Sequence, residues 1–455
     1  MYFDLKQIVE SRGRENYELH RKYLNPMFVE LLHIGGFDQI YVRACGAHLY
    51  DAEGNAYLDF VGGHGALNVG RNHPEIKRAM LDLLGLDLAN MVQLDCSLLS
   101  GLLAESLVQQ LPPYFGGVFF CNSGTEAVES AMKFARGATG RSKIVYVKGS
   151  FHGFTYGSLS LTDADTLHER FGPFVGETAG VAADDFDELE RLLSRQDVAG
   201  FIFEPLQGRG VTSPAETFLP TVEKLCRENG TLLISDEVMT GFGRTGKWWG
   251  FEHWKLKPDI VTVAKSLSGG YVPCGAVITR REILDKVYDG LERARIHSNT
   301  FGRNNAAMAC GLASLSVLVN ESLVENSERM GILLRRRLGE LCGPHTWFNG
   351  VNGRGLMLGL EFEKPSNGMH DAPIGAADFA LSLSILLFRR YRILTEPCGA
   401  SGNIVRLLPP LIITEKEVNY FAQCCDAAVK EIERSPRTIM DEVRNSASSL
   451  VKPKN

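Results

Sequence analysis

The stretch 231–266, TLLISDEVMTGFGRTGKWWGFEHWKLKPDIVTVAKS, decides the fold. Two short apolar runs, 232–235 and 260–264, have the length of buried strands and are bounded by turn residues. Asp236 stands just past the first run and Lys265 just past the second. In an open α/β sheet the carboxyl ends of parallel strands form the ligand crevice, so one carboxylate and one amine are expected to face the same crevice. Desolvation at a strand end lowers a lysine pKa and frees its amine as a nucleophile. Such an amine suits a Schiff base with a carbonyl cofactor. A carboxylate nearby would keep a pyridine nitrogen protonated, which makes a pyridoxal ring an electron sink. Spacing alone leaves a second reading open, in which Asp236 and Lys265 are ordinary surface residues.

The motifs around this stretch carry a resemblance. D-E-V-M-T-G-F-G-R-T-G at 236–246 followed by A-K-S at 264–266 resembles the signature of the class III (ω-type) aminotransferases, pyridoxal-phosphate enzymes of fold type I. S-G-T-E-A at 123–127, F-H-G at 151–153, E-P-L-Q-G at 204–208, N-T-F-G at 299–302 and R-L-L-P-P-L at 406–411 follow in the family's order. The likeness runs from about Val42 to about Ile413, and together the motifs are far more specific than any one alone. It implies an α/β fold: a large domain with a mixed, mostly parallel seven-stranded sheet between helices, plus a smaller α+β domain. The expected division is an N-terminal segment 1–75 belonging to the small domain, a cofactor-binding domain 76–319 and a C-terminal small domain 320–455.

The 455 residues, 44% hydrophobic and 22% charged, suit one large and one smaller domain. The net charge of −6 with interspersed signs and no basic stripe argues against nucleic-acid or membrane binding. Ten cysteines without a C-x-x-C pair read as reduced thiols rather than a disulfide or zinc framework, and no metal site is expected. The start MYFDLKQIVESRGRE has no apolar core and is neither a signal nor a typical transit peptide. The longest apolar stretch, 379–388, is too short to span a bilayer. A cytoplasmic location is the expectation.

Along the chain, residues 1–35 look helical and amphipathic, with Leu24, Phe28, Leu31 and Leu32 at helical spacing. This is either a core-facing helix or, by the resemblance, a segment packed on the small domain and a dimer partner. Residues 40–60 alternate apolar and polar and break at Glu53-Gly54-Asn55, a hairpin signal. Gly62, Gly63 and Gly65 allow close backbone approach to a ligand; His64 among them lines the pocket or is merely structural. Strands are expected at 118–121, 144–147 and 199–203, with a helix at 126–136. Ser123-Gly124-Thr125 then sits at a helix N-terminus, either an ordinary N-cap or an anion site. Beyond about Val319 come helices and short strands at 355–362, 393–394 and 404–407. From about Arg434 the tail has few apolar residues and is expected to be loosely ordered.

The resemblance assigns further roles. Lys265 carries pyridoxal 5'-phosphate and moves the substrate proton, and Asp236 protonates the ring nitrogen. Ser123, Gly124 and Thr125 cradle the phosphate. Phe151 and Val238 flank the ring, while His152, Glu204 and Met239 complete its surroundings. Thr300 reaches the phosphate of the other subunit, which makes a homodimer with shared active sites. Arg406 is the candidate clamp for a substrate carboxylate. The expected partners are an amine and a 2-oxo acid, joined by ping-pong kinetics.

Three departures bear on substrate. Met239 stands where many members place Gln. Phe154 stands where the acetylornithine, ornithine and γ-aminobutyrate enzymes carry Arg. Arg209 stands where those enzymes carry a Glu that pairs with the substrate-binding arginine. The expectation is an enzyme poor for those three amines, with Phe154, Arg209, Arg406 and His64 shaping a pocket for longer or more apolar ones. An amino-acid racemase or aminomutase of the same fold, and a non-catalytic protein on the same scaffold, are the competing readings.

Overall fold

The computed structural model describes residues 3–163, 165–365 and 374–435. Its N-terminal sheet begins with β1 (Tyr41–Cys45), β2 (His48–Asp51) and β3 (Ala56–Asp59). The expected hairpin is the β2–β3 turn, where Asp51 accepts the backbone N–H of Asn55 at 2.8 Å.

The central sheet uses β4 (Phe115–Cys121), β5 (Lys143–Val147), β6 (Thr178–Val181), β7 (Val198–Phe203), β8 (Leu232–Asp236), β9 (Ile260–Val263) and β10 (Gly275–Arg280). Their spatial order is β4-β10-β9-β8-β7-β5-β6. Only β10 runs against its neighbours. The seven-stranded, mostly parallel sheet is therefore the expected one. Every residue of β7 and of β9 is buried, as expected of parallel strands covered on both faces. This is why they appear in sequence as unbroken apolar runs. Each fully buried Val, Ile or Phe there contributes roughly 1.5–3 kcal/mol by leaving water. The helix Gly124–Thr139 lies against one face and buries Ala127, Ala131 and Ala135, whose small side chains allow close approach.

The C-terminal part adds β11 (Phe348–Arg354), β12 (Met357–Phe362), β13 (Ile393–Leu394), β14 (Glu396–Cys398) and β15 (Ile404–Leu407). β11-β12-β15-β14 form one sheet, whereas β13 pairs parallel to β3 in the N-terminal sheet. Sequence patterning missed β6, β10, β11 and β14. β11 carries no fully buried residue and β14 is three residues with a proline, so neither shows an apolar run. The segments are tied together by Arg244, fully buried on the loop after β8. It donates to the carbonyls of Leu356 (3.0 Å) and Pro409 (2.5 Å) and to Asn68 Oδ1 (2.5 Å).

The first 35 residues are three short helices, Leu5–Arg12, Asn16–Tyr23 and Pro26–Gly35, not one. Asn25 caps the third and Pro26 opens it, so the chain breaks there. Leu24, Phe28 and Leu31 are exposed in the single chain, so the core-facing reading of that stripe does not hold. Among the described residues no single helix is long and apolar enough to cross a membrane. The tail expected to be loose lies, from residue 436 on, outside the described residues.

Candidate active site

The parallel pairing of β8 and β9 sets Asp236 opposite Thr262, and both strands end at one cavity of about 830 Å³. Asp236 closes β8; Lys265 opens the tight turn Lys265–Ser268 after β9 with φ +42. A lysine in the left-handed region is strained, and here the strain accompanies a side chain turned into the cavity. Burial lowers the Lys265 amine to about 8; Arg406 lowers it too, against Asp236 and Glu204. Among the described residues that amine makes no hydrogen bond or ion pair.

Asp236 is held from three sides. Its Oδ1 accepts the N–H of Val238 and the hydroxyl of Thr262, both at 3.0 Å. Its Oδ2 lies 2.7 Å from His152 Nδ1. An ionised carboxylate only accepts, so the proton between them sits on His152 Nδ1. Each carboxylate oxygen keeps room for a further donor from the cavity. His152 Nε2 is buried without a partner among the described residues. Glu204, next after β7, accepts the N–H of Phe151 and of Gly208 at 2.8 Å each. Burial pushes its carboxyl up, His152 draws it back, and the balance is about 7.

On the other side of the cavity, Ser123 caps the helix Gly124–Thr139 by accepting the N–H of Glu126. The first N–H groups of that helix have no intrahelical partner and point, with the helix dipole, at the cavity. Thr125 Oγ1 joins Thr155 Oγ1 (2.8 Å) and Ser158 Oγ (2.5 Å) in a hydroxyl cluster. Gly124 is required, because a Cβ would sit 2.8 Å from Val238 Cγ1. A phosphate fits this cradle, a ring nitrogen fits the free acceptor sites of Asp236, and a carbonyl carbon fits the unpaired Lys265 amine. The residues present therefore suit pyridoxal 5'-phosphate.

At the substrate end, Phe151 and Phe154 meet edge to face with centroids 5.0 Å apart, and Phe154 is 67% exposed at the mouth. Arg406 on β15 donates from Nη1 to the Gly208 carbonyl and from Nη2 to Glu396 Oε2, each at 2.6 Å. His64 Nδ1 lies 3.2 Å from both Arg406 Nη2 and Glu396 Oε2. Arg209 donates to the Asp163 carbonyl at 3.4 Å.

Three comparisons bear on this arrangement. Residues 35–429 match the family model "Aminotransferase class-III". The chain belongs to the class III aminotransferases. Aminotransferase PigE of a Serratia species is 34% identical over 92% of this chain, which spans 54% of that protein's length. Acetylornithine aminotransferase of Bacillus subtilis is 36% identical over 84% of this chain and 93% of that one. In structure, the ornithine aminotransferase of Toxoplasma gondii, in which PLP occupies the active site in part, superposes with a TM-score of 0.82 at 27% identity, covering 95% of this chain and 99% of that one. The chain is thus a pyridoxal-phosphate enzyme of amino-group transfer with the fold-type-I architecture.

Within this aminotransferase, every candidate residue but one lines the same cavity. The exception is Thr300, which lies elsewhere beside Gln93, whose side chain donates to its carbonyl at 3.4 Å. Arg406 has a carboxylate against it. Position 209 does not supply it; Glu396 supplies it from β14. No motif announced Glu396. The available signal was its place ten residues before Arg406 in a strand–turn–strand pattern. The loop of Tyr271, Val272, Pro273 and Cys274 also lines the cavity and was not singled out.

Proposed function

We propose that this aminotransferase moves an amino group from a primary amine or ω-amino compound to a 2-oxo acid in two alternating half-reactions. The observation that carries the reading is the pairing of a free, lowered amine on Lys265 with a triply anchored carboxylate on Asp236 across two adjacent parallel strands. When bound, pyridoxal 5'-phosphate supplies a carbonyl for the amine and a ring that takes up the electron pair left by proton removal. Lys265 Nζ holds the cofactor and, once released from it, takes the proton from the substrate carbon and returns it as general base and acid. Asp236 keeps a proton on the ring nitrogen, and His152 fixes the orientation of the carboxylate. Ser123, Gly124 and Thr125 bind the phosphate. Phe151 and Val238 exclude water from the two faces of the ring, Met239 borders its edge, and Glu204 fixes the backbone of Phe151.

Arg406 binds the carboxylate of the oxo acid, since a guanidinium takes a carboxylate bidentately. Phe154 at the mouth favours amines with a long or apolar body, and Arg209 leaves its position without the carboxylate carried by the enzymes named above. Acetylornithine, named for a relative, is not carried over, because both positions differ here from the pattern of the enzymes that use it. Thr300, remote from its own cavity, serves the phosphate site of a second copy, so the working unit is a homodimer with shared sites. The organisation is an N-terminal segment 1–75 and C-terminal part 320–455 forming the small domain around a cofactor domain 76–319; the β3–β13 pairing supports this division. Ten free thiols support a cytoplasmic location.

The test is a panel of amine donors added without oxo acid, followed by the visible absorbance of the bound cofactor. A productive donor alone should bleach that absorbance stoichiometrically, and a 2-oxo acid should restore it. Recovery without any oxo acid, with inversion or rearrangement of the donor, would instead identify a racemase or aminomutase.

A further inference from the structure

Glu396 and Arg406 are directly opposed residues of the antiparallel pair β14–β15, so their contact is built into the register of the sheet. The guanidinium is divided between two partners. Its Nη1 is fixed by the backbone carbonyl of Gly208, whereas its Nη2 faces Glu396 and His64. The two charges are unequally buried: the Arg406 side chain is 10% exposed and that of Glu396 is 37% exposed. The carboxylate is therefore the partner that can move into water at low cost, while the cation cannot.

His64 gives that carboxylate somewhere to go. It sits in a left-handed turn, Gly62–Gly65, with φ 55 and ψ 37. A histidine there is strained by roughly 1–3 kcal/mol, and such strain persists only where the surroundings impose it. They do so here: the fully buried Asp59 accepts the N–H of Val61 and of Gly62 at 2.9 Å each. A Cβ on Gly62 would collide with the carbonyl oxygen of Leu408. The turn thus holds the imidazole Nδ1 3.2 Å from Glu396 Oε2 and, equally, 3.2 Å from Arg406 Nη2; with a proton on Nδ1 it donates to the carboxylate, since a guanidinium cannot accept. Burial raises the Glu396 carboxyl, but the His64 hydrogen bond and the Arg406 charge overcome this and bring it down to about 2, so it stays ionised.

We propose that Glu396 is a specificity-determining positioning residue that occupies Arg406 while the amine is bound and yields it to the incoming oxo-acid carboxylate, keeping His64 as its partner. This rests on the reading of Arg406 as the carboxylate clamp. With Glu396 in place, an amine lacking a carboxylate does not meet a bare buried cation. With a carboxylate acid in the cavity, Arg406 exchanges one anion for another and His64 steadies the one displaced. The neutralising charge thus comes from the opposite wall to residue 209, which is itself an arginine.

The probe is glutarate, a dicarboxylate with no carbonyl to react, titrated calorimetrically into the cofactor-loaded enzyme. Glu396→Gln removes the internal competitor, so glutarate should bind about two- to fivefold tighter, the upper part of the range for a partly exposed ion pair. The same variant should raise KM for a carboxylate-free amine while kcat stays near that of the unmodified enzyme. Glu396→Asp should restore both values in part. Arg406→Ala should lose glutarate binding. Weaker glutarate binding in Glu396→Gln would mean only a loosened site and would overturn the proposal, as would unchanged affinity and KM. If that variant does not fold, Glu396→Ala decides by the same two readings. Glutarate binding that survives in Arg406→Ala removes the clamp itself, a failure distinct from that of the gate.

Discussion

His152 Nδ1 stands 2.7 Å from Asp236 Oδ2 in the interior of the protein, and among the described residues the other ring nitrogen of His152 has no partner. The imidazole is thereby committed to one task, which is to orient the carboxylate. With Val238 and Thr262 holding Oδ1, the carboxylate plane is fixed before any cofactor binds.

Asp236→Asn should therefore preserve the fold and lower kcat by orders of magnitude. An amide neither holds a proton on a pyridine nitrogen nor accepts equally from His152 and Thr262. Steady-state rates and a thermal melt on the same sample separate the two effects. Full activity in this variant would remove the role assigned to Asp236.

Lys265 gives a pH prediction. Only the unprotonated amine is a nucleophile, and burial lowers its pKa to about 8 from an ordinary value near 10.4. Protein stripped of cofactor should take up pyridoxal 5'-phosphate faster as pH rises, with the midpoint near 8. A rate still climbing beyond pH 10 would show an unperturbed lysine.

Glu204 carries two backbone donors, the half-buried N–H of Phe151 and the buried N–H of Gly208. Glu204→Ala leaves both unpaired and should cost about 1–3 kcal/mol for each in urea unfolding. Because Gly208 also receives Arg406, KM for the oxo acid should rise in the same variant. Unchanged stability would show that water or a neighbour replaces the carboxylate.

Thr300 does not line the cavity that holds Lys265, and under the proposed shared-site dimer its effect should cross chains. Thr300→Ala should weaken cofactor retention by about 1–3 kcal/mol, the range for a hydrogen bond to a charged group. Mixed dimers of Thr300→Ala with Lys265→Ala should recover one site with normal retention, because that site draws an intact Thr300 from the Lys265→Ala chain. No recovery in the mixed dimers would place the phosphate contact within one chain.

Arg406→Ala should separate the half-reactions. The amine half should survive and the oxo-acid half should fail when each is followed in a single turnover. Equal failure of both halves, or acetylornithine as the best donor, would overturn the specificity argued from Phe154 and Arg209.

What the sequence made legible follows from where the apolar runs lie. β7, β8 and β9 are buried on both faces, so their runs were visible, and with them the placement of Asp236, Glu204 and Lys265. The helix N-terminus at Ser123 was visible because capping and glycine are local signals. Glu396 was not visible. Its partner Arg406 is set by the register of β14 on β15, and a three-residue strand with a proline leaves no period to detect. The break of the N-terminal segment into three helices was missed because its apolar residues keep helical spacing across Asn25-Pro26. Their exposure in one chain is a tertiary fact that no period encodes.

The central claim is that Lys265 holds the cofactor at the ends of β8 and β9. Borohydride reduction of the cofactor-loaded enzyme, followed by peptide mass mapping, tests it directly. The account predicts a single pyridoxyl-phosphate adduct on the peptide containing Ala264-Lys265-Ser266, and none in Lys265→Ala. An adduct on another lysine of the unmodified enzyme, or an active Lys265→Ala variant, would contradict it.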